Sequence, residues 1–221
     1  MRRFISRLSL SLLALMGCRD QPSAEARFWQ WFESNSARLA QPSQDQERIF
    51  DELQNELSKA HDGLTFELGP VVNGSRELAI SADGIKEHFS AVQTLVAAAP
   101  KLPRWRVVAF RQRKGPGYTV QLGTLSLSPD DVWFRVEAQP RQPIQLFLYI
   151  NNFEQGERQR FAPVVYLLLD DILGEYDVET KIDGIEFDAL PKNPKESGLR
   201  PLPDLAIVVD GIFSPDPTVV D

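Results

Sequence analysis

The stretch Leu64-Thr65-Phe66-Glu67-Leu68-Gly69-Pro70-Val71-Val72-Asn73-Gly74-Ser75-Arg76-Glu77-Leu78-Ala79-Ile80-Ser81 decides the fold. Leu64, Phe66 and Leu68 alternate with Thr65 and Glu67, the period of a half-buried strand. Asn73-Gly74 suits a two-residue hairpin loop, which needs positive φ at both positions. Residues 77–81 then return as a second strand.

Upstream of this hairpin the period is helical. Phe28, Phe32 and Leu39 share one helix face, with Trp31 beside them. Packing on the core is preferred to rest in a lipid interface, because the polar face lacks the Lys and Arg of interfacial helices. Pro42-Ser43 breaks this helix. Ser43 and Gln46 form an S-x-x-Q capping box for a second helix striped by Ile49, Phe50, Leu53 and Leu57, which His61-Asp62-Gly63 ends.

Downstream, Asp83-Gly84 leads into a helix with Ile85, Phe89, Val92, Leu95 and Val96 on one face, stopped by Pro100 and Pro103. Residues 105–113 read as the next strand, and residues 118–122 as a short return after Gly115-Pro116-Gly117. The pattern then repeats. Ser128-Pro129-Asp130-Asp131 is a turn, and residues 132–137 and 144–150 are two strands around the 139–143 loop. Residues 161–173 form a helix too apolar to be exposed, with Pro163 tolerated in its first turn and Gly174 as its C-cap. Residues 178–187 read as a strand. Strand, strand, helix, strand thus occurs at about 64–113 and again at 132–188, a repeat of architecture without residue identity. The fold class is α+β: two N-terminal helices, then two such units forming one mixed sheet or two, with helices on one face. From Pro191 on, recurring prolines read as an irregular tail (191–221) with residues 205–209 docked.

The chain begins MRRFISRLSLSLLALMGC. Arg2, Arg3 and Arg7 make a positive n-region. Residues 8–16 make a short apolar run, well below the roughly 20 residues that span a bilayer. Leu15-Met16-Gly17-Cys18 resembles the lipobox of bacterial lipoproteins, whose cysteine is acylated and becomes the new N-terminus. Cys18 is the only cysteine, and two acyl chains there would anchor the protein stably. The reading is a signal peptide over 1–17, a polar tether over 18–26 and a folded body over 27–190. By resemblance to enterobacterial sorting, Arg19 rather than Asp favours the outer over the inner membrane. Cleavage removes three arginines and no acid, so the net charge falls from −7 to −10. That balance excludes non-specific nucleic-acid binding, which rests on clustered Lys and Arg.

The Phe28–Phe32 aromatic run, Ile80-Ser81-Ala82-Asp83-Gly84, Ala109-Phe110-Arg111-Gln112-Arg113 and Leu173-Gly174-Glu175-Tyr176-Asp177-Val178-Glu179-Thr180 resemble stretches of a family of uncharacterised bacterial proteins. That resemblance implies no activity or substrate.

No catalytic motif is present: G-x-S-x-G, Walker and G-x-G-x-x-G loops are all missing. Asp170, Asp171, Glu175, Asp177 and Glu179 are the densest acidic run, and a solvated helix end is preferred to a cation site because the spacing is not that of an EF-hand. His61 and His88, the only histidines, lie 27 residues apart without metal-ligand spacing, and His88 reads as a surface residue on an amphipathic helix. Arg111 and Arg113, alternating on one strand face, are the candidate anion-binding pair. No metal or cofactor is expected. The expected function is a non-enzymatic envelope lipoprotein, held at the membrane by lipid on Cys18 and binding an envelope protein or cell-wall partner. The alternatives are an envelope hydrolase using Asp83, Glu87 or His88 near Arg111, and a cytosolic protein with a misleading start.

Overall fold

The computed structural model describes residues 21–41, 45–115, 117–140 and 142–214. The signal, Cys18, the Ser43 half of the capping box, Pro116, part of the 139–143 loop and the last prolines lie outside them. The architecture is α+β, with a three-stranded sheet, a four-stranded sheet and a separate two-stranded hairpin.

Helix α1 (Ala24–Leu39) starts at Ser23, whose side chain accepts from the Ala26 N–H at 3.2 Å, and buries Phe28, Trp29, Phe32 and Leu39. Trp29 rather than Trp31 is the fully buried indole. Its Nε1–H donates to the Leu95 carbonyl at 2.8 Å. Helix α2 (Gln46–Ala60) buries Ile49, Leu53 and Leu57, the i, i+4, i+8 stripe of an amphipathic helix.

Strands β1 (Thr65–Val72) and β2 (Ser75–Ser81) pair antiparallel across Asn73 (φ 50°) and Gly74 (φ 78°), both left-handed as the turn demands. Helix α3 (Phe89–Ala97) crosses to β3 (Trp105–Ala109), which pairs parallel to β2. A small hairpin follows, β4 (Val120–Leu122) with β5 (Leu125–Leu127). The second unit repeats the plan. β6 (Val132–Glu137) and β7 (Ile144–Ile150) pair antiparallel, α4 (Arg158–Leu173) and α5 (Glu175–Lys181) cross over, and β8 (Ile182–Ala189) pairs parallel to β7. The units build separate sheets, ordered β1-β2-β3 and β8-β7-β6.

Each of the two larger sheets carries its own core. Phe28, Phe32, Leu53, Leu57, Leu78, Ile80, Val92 and Leu95 belong to one. Phe134, Ile144, Leu146, Leu148, Val164, Leu168 and Val209 belong to the other. In β7 the alternation is complete: residues 144, 146, 148 and 150 are buried, and those between are half-exposed.

Several expectations are corrected. The strand at 105–113 ends at Ala109, because Phe110 takes φ +66° and turns the backbone out of extended geometry. Residues 178–181 are helix, not strand. Gly174 ends α4, and α5 resumes at Glu175, so Val178 and Ile182 reach the second core one helical turn apart. Pro163 is the sixth residue of α4, not in its first turn. Having no N–H, it cannot donate to the Gln159 carbonyl, and Gln159 is an exposed residue. Ile85 precedes α3 and is exposed. The proline-rich segment carries regular structure between residues 200 and 213. Strand β9 (Arg200–Pro201) extends the second sheet beside β6, and α6 (Leu205–Phe213) buries Leu205 and Val209.

Candidate functional site

Two cores with separate sheets must meet somewhere, and the segment 110–115 is where they do. Released from β3 by the left-handed Phe110, it runs along the C-terminal end of α4. The Lys114 and Gly115 N–H groups donate to the Asp171 carbonyl at 2.7 and 3.0 Å. Phe110 fills the seam with Phe89 and Tyr176, at ring-centroid separations of 4.5 to 5.7 Å.

Glu175 organises the seam. It is fully buried. Its Oε1 accepts from the Ala82 and Gly84 N–H groups at 3.0 and 3.3 Å, and its Oε2 accepts from the Arg111 N–H at 3.0 Å. Three backbone donors replace the water this carboxylate loses. The Asp83-Gly84 turn aims two of them, with Asp83 at φ +51° and Gly84 at φ +77°. A Cβ on Gly84 would lie 3.1 Å from Glu179 Oε1, so the glycine also permits the close approach of α5.

The other acids of the 170–179 run part company. Asp171 pairs with Lys114 at 2.8 Å, and Lys114 also reaches Glu67 at 2.8 Å. Asp177 pairs with Arg113 and Lys181. Asp170 and Glu179 face a cleft of about 550 Å³ with Asp83, Gly84, Arg111, Pro163, Tyr166 and Leu167. Its walls come from both units. Asp83 and Gly84 belong to the first, and Pro163, Tyr166, Leu167 and Asp170 form one face of α4 at helical spacing.

Arg111 crosses the cleft floor with its side chain only 13 % exposed. It donates through Nη2 to Asp83 Oδ1 at 2.7 Å and through Nη1 to Asp170 Oδ2 at 3.3 Å. Asp170 is 7 % exposed. Burial pushes its carboxyl up to about 7, against the pull of Arg111 and with the negative charges of Glu175 and Glu179 adding to the rise. Burial also raises Glu179, partly opposed by Lys86. The cleft thus combines an apolar, aromatic wall with carboxyls, one of them poised to exchange a proton near neutrality.

The expected solvated helix end is corrected here: Asp170, Asp171 and Glu175 are all buried. Arg111 and Arg113 do not share a strand face. Arg113 donates from Nε to the Leu173 carbonyl at 2.6 Å and from Nη1 and Nη2 to Asp210 at 2.8 and 2.9 Å, so it binds α6 to the end of α4. The two arginines share only a shallower depression of about 390 Å³ beside Tyr176, and there too their donors are engaged by carboxylates. Of the proposed acid–base trio, Asp83 lines the cleft, whereas Glu87 and His88 do not. His88 instead packs edge-on against His61, at 5.1 Å between ring centroids, a proximity their separation in sequence hides. Among the described residues, no cluster of three or more His, Cys, Asp or Glu is arranged to hold a metal ion. Tyr166 was not singled out from the sequence. Its signal is the 163, 166, 167, 170 spacing on one face of α4.

No protein-family model, no curated protein and no solved structure matches this chain.

Proposed function

We propose that this protein is a membrane-anchored envelope lipoprotein, tethered by lipid on Cys18, and that its folded body is a non-enzymatic binding module with the Arg111–Asp170 cleft as its ligand site. One observation supports the cleft reading above others: its walls are drawn from both units, at the seam between two cores, where small-molecule sites preferentially form. A second cavity, of about 520 Å³ over the β1–β2 hairpin, is less suited. Its charged walls are spent on each other, through Glu77 with Arg106 and Glu67 with Lys114.

The anchor reading draws on residues 1–18. No helix among the described residues is long and apolar enough to cross a membrane. Intact mass of the protein extracted from membranes, beside a Cys18→Ser variant, tests it. Loss of residues 1–17 with added acyl chains is the expected result, and an unmodified full-length chain in the soluble fraction overturns it. The cleft is tested by Tyr166→Ala, which alters only an exposed wall. Capture of an envelope partner or cell-wall fragment that Tyr166→Ala leaves unchanged overturns the cleft reading.

A second reading, an envelope hydrolase, draws on Asp170. A carboxyl held near 7 beside an open cleft suits general acid–base work. It replaces Glu87 and His88 with Asp170. A hydrolytic activity abolished by Asp170→Asn with the fold intact would favour it over binding alone.

A further inference from the structure

We propose that the cleft takes a ligand bearing a protonated primary amine on an apolar stem, with Glu179 and Asp170 receiving the ammonium group and Tyr166 and Leu167 covering the stem. The inference rests on the cleft being the ligand site.

The carboxyl groups in the cleft are unequally used. Asp83 is engaged by Arg111 and is largely exposed at the rim. Asp170 is largely buried and is held by Arg111 through its Oδ2, while its Oδ1 opens to solvent and meets no hydrogen-bond donor among the described residues. Glu179 makes neither a hydrogen bond nor an ion pair among the described residues, although it lines the same space. Lys86 attracts it only from beyond ion-pair distance. Two acceptors therefore face the cleft with capacity left over, in a site whose one guanidinium is already held by Asp83 and Asp170.

That arrangement discriminates by sign. An incoming anion would have to displace two carboxylates from Arg111 and then sit against Asp170 and Glu179. A neutral ligand could donate to these acceptors but would leave their negative charge uncompensated once water is excluded. An ammonium group brings three donors and one positive charge. The aromatic face of Tyr166 adds attraction for a cation passing over it, and Pro163 and Leu167 supply apolar surface for methylenes. Arrival of a cation beside Asp170 also lowers that carboxyl toward its ordinary range, so binding near neutral pH releases a proton.

The test uses the full chain in detergent, titrated calorimetrically with 1,5-diaminopentane, 1,5-pentanediol and glutarate at matched concentrations. The expected result is saturable binding of the diamine, weakened by added salt, with no binding of the diol or glutarate. Glu179→Gln, at a side chain with no partner to lose, is expected to weaken the diamine about tenfold or more, the scale of one lost charge-assisted contact. Asp170→Asn is expected to act in the same direction and to abolish proton release. Failure of the diamine to bind, or equal binding by wild type, Glu179→Gln and Asp170→Asn, overturns the inference. Binding of glutarate instead, lost in Tyr166→Ala, overturns the cationic assignment while leaving the cleft as the ligand site. Diamine binding that Tyr166→Ala and Glu179→Gln both leave intact overturns both.

Discussion

Arg111 and Glu175 hold each other through two reciprocal hydrogen bonds. The Arg111 N–H donates to Glu175 Oε2 at 3.0 Å, and the Glu175 N–H donates to the Arg111 carbonyl at 3.0 Å. The two residues belong to different units, so this exchange joins the two cores at the backbone. It also fixes where the Arg111 side chain enters the cleft.

Glu175→Ala strands three backbone donors, those of Ala82, Gly84 and Arg111, beside a new void. The expected loss is more than about 3 kcal/mol, since each buried unsatisfied donor costs about 1–3 kcal/mol. Glu175→Gln keeps one acceptor oxygen but turns its amide N–H groups toward a backbone N–H, and is expected to cost about 2 kcal/mol. Denaturant melts with unchanged m-values check both. A Glu175→Ala protein as stable as wild type would contradict the seam described here.

Asp170 makes stability fall as pH rises. Its carboxyl is raised to about 7 in the folded state from an ordinary 3.8. Between those values the folded protein binds the proton more strongly than the unfolded chain does, so the stabilising contribution is full below about pH 4 and is lost as pH approaches 7. Hydrogen bonds to the Asp210 and Asp131 carboxylates act the other way, by holding those groups below their ordinary values. The diagnostic quantity is therefore the difference between wild type and Asp170→Asn. Relative to wild type, the Asn variant is expected to gain roughly 2–4 kcal/mol between pH 4 and 7. Parallel pH profiles for the two proteins would rule this out.

Arg113 is a structural clamp. Its guanidinium bridges the Leu173 carbonyl, Asp177 and Asp210, joining α4, α5 and α6. Because it is about a third exposed, solvent screening limits its worth, and Arg113→Ala is expected to cost about 1–2 kcal/mol. Lysine cannot reproduce the paired contacts to Asp210. Hydrogen exchange in residues 205–213 is expected to quicken in both variants, with β7 unaffected.

Gly63 stands at φ +96°, and a Cβ there would lie 2.5 Å from His88 Nε2. Gly63→Ala therefore combines left-handed strain with displacement of the His88 ring from His61. A loss of about 2 kcal/mol is expected, read as a lowered melting temperature. Gly74→Ala, where a Cβ meets nothing within 4 Å, isolates the strain alone and should cost less.

Much of the fold was legible because periodicity is written in consecutive residues. The Asn73-Gly74 hairpin, the 132–137 and 144–150 strands and the Ile49-Leu53-Leu57 stripe all lie where local pattern places them. The errors fall where a local pattern is too short or is overridden. Residues 175–181 make under two turns of helix, too few to show a period against the strand that follows. Phe110 continues an alternating pattern, yet packing against Phe89 and Tyr176 holds it left-handed.

The sequence by itself determined the α+β class and the doubled strand, strand, helix, strand order, because side-chain period and turn chemistry act over a few residues. Only the tertiary structure decided what the acidic run does. Arg111 meets Asp170 across 59 residues, and Arg113 meets Asp210 across 97. No local spacing encodes such pairs. They form only when two independently packed cores are brought together, and the charges left at their seam are buried, paired or turned into a cleft according to which backbone donors and guanidinium groups happen to reach them.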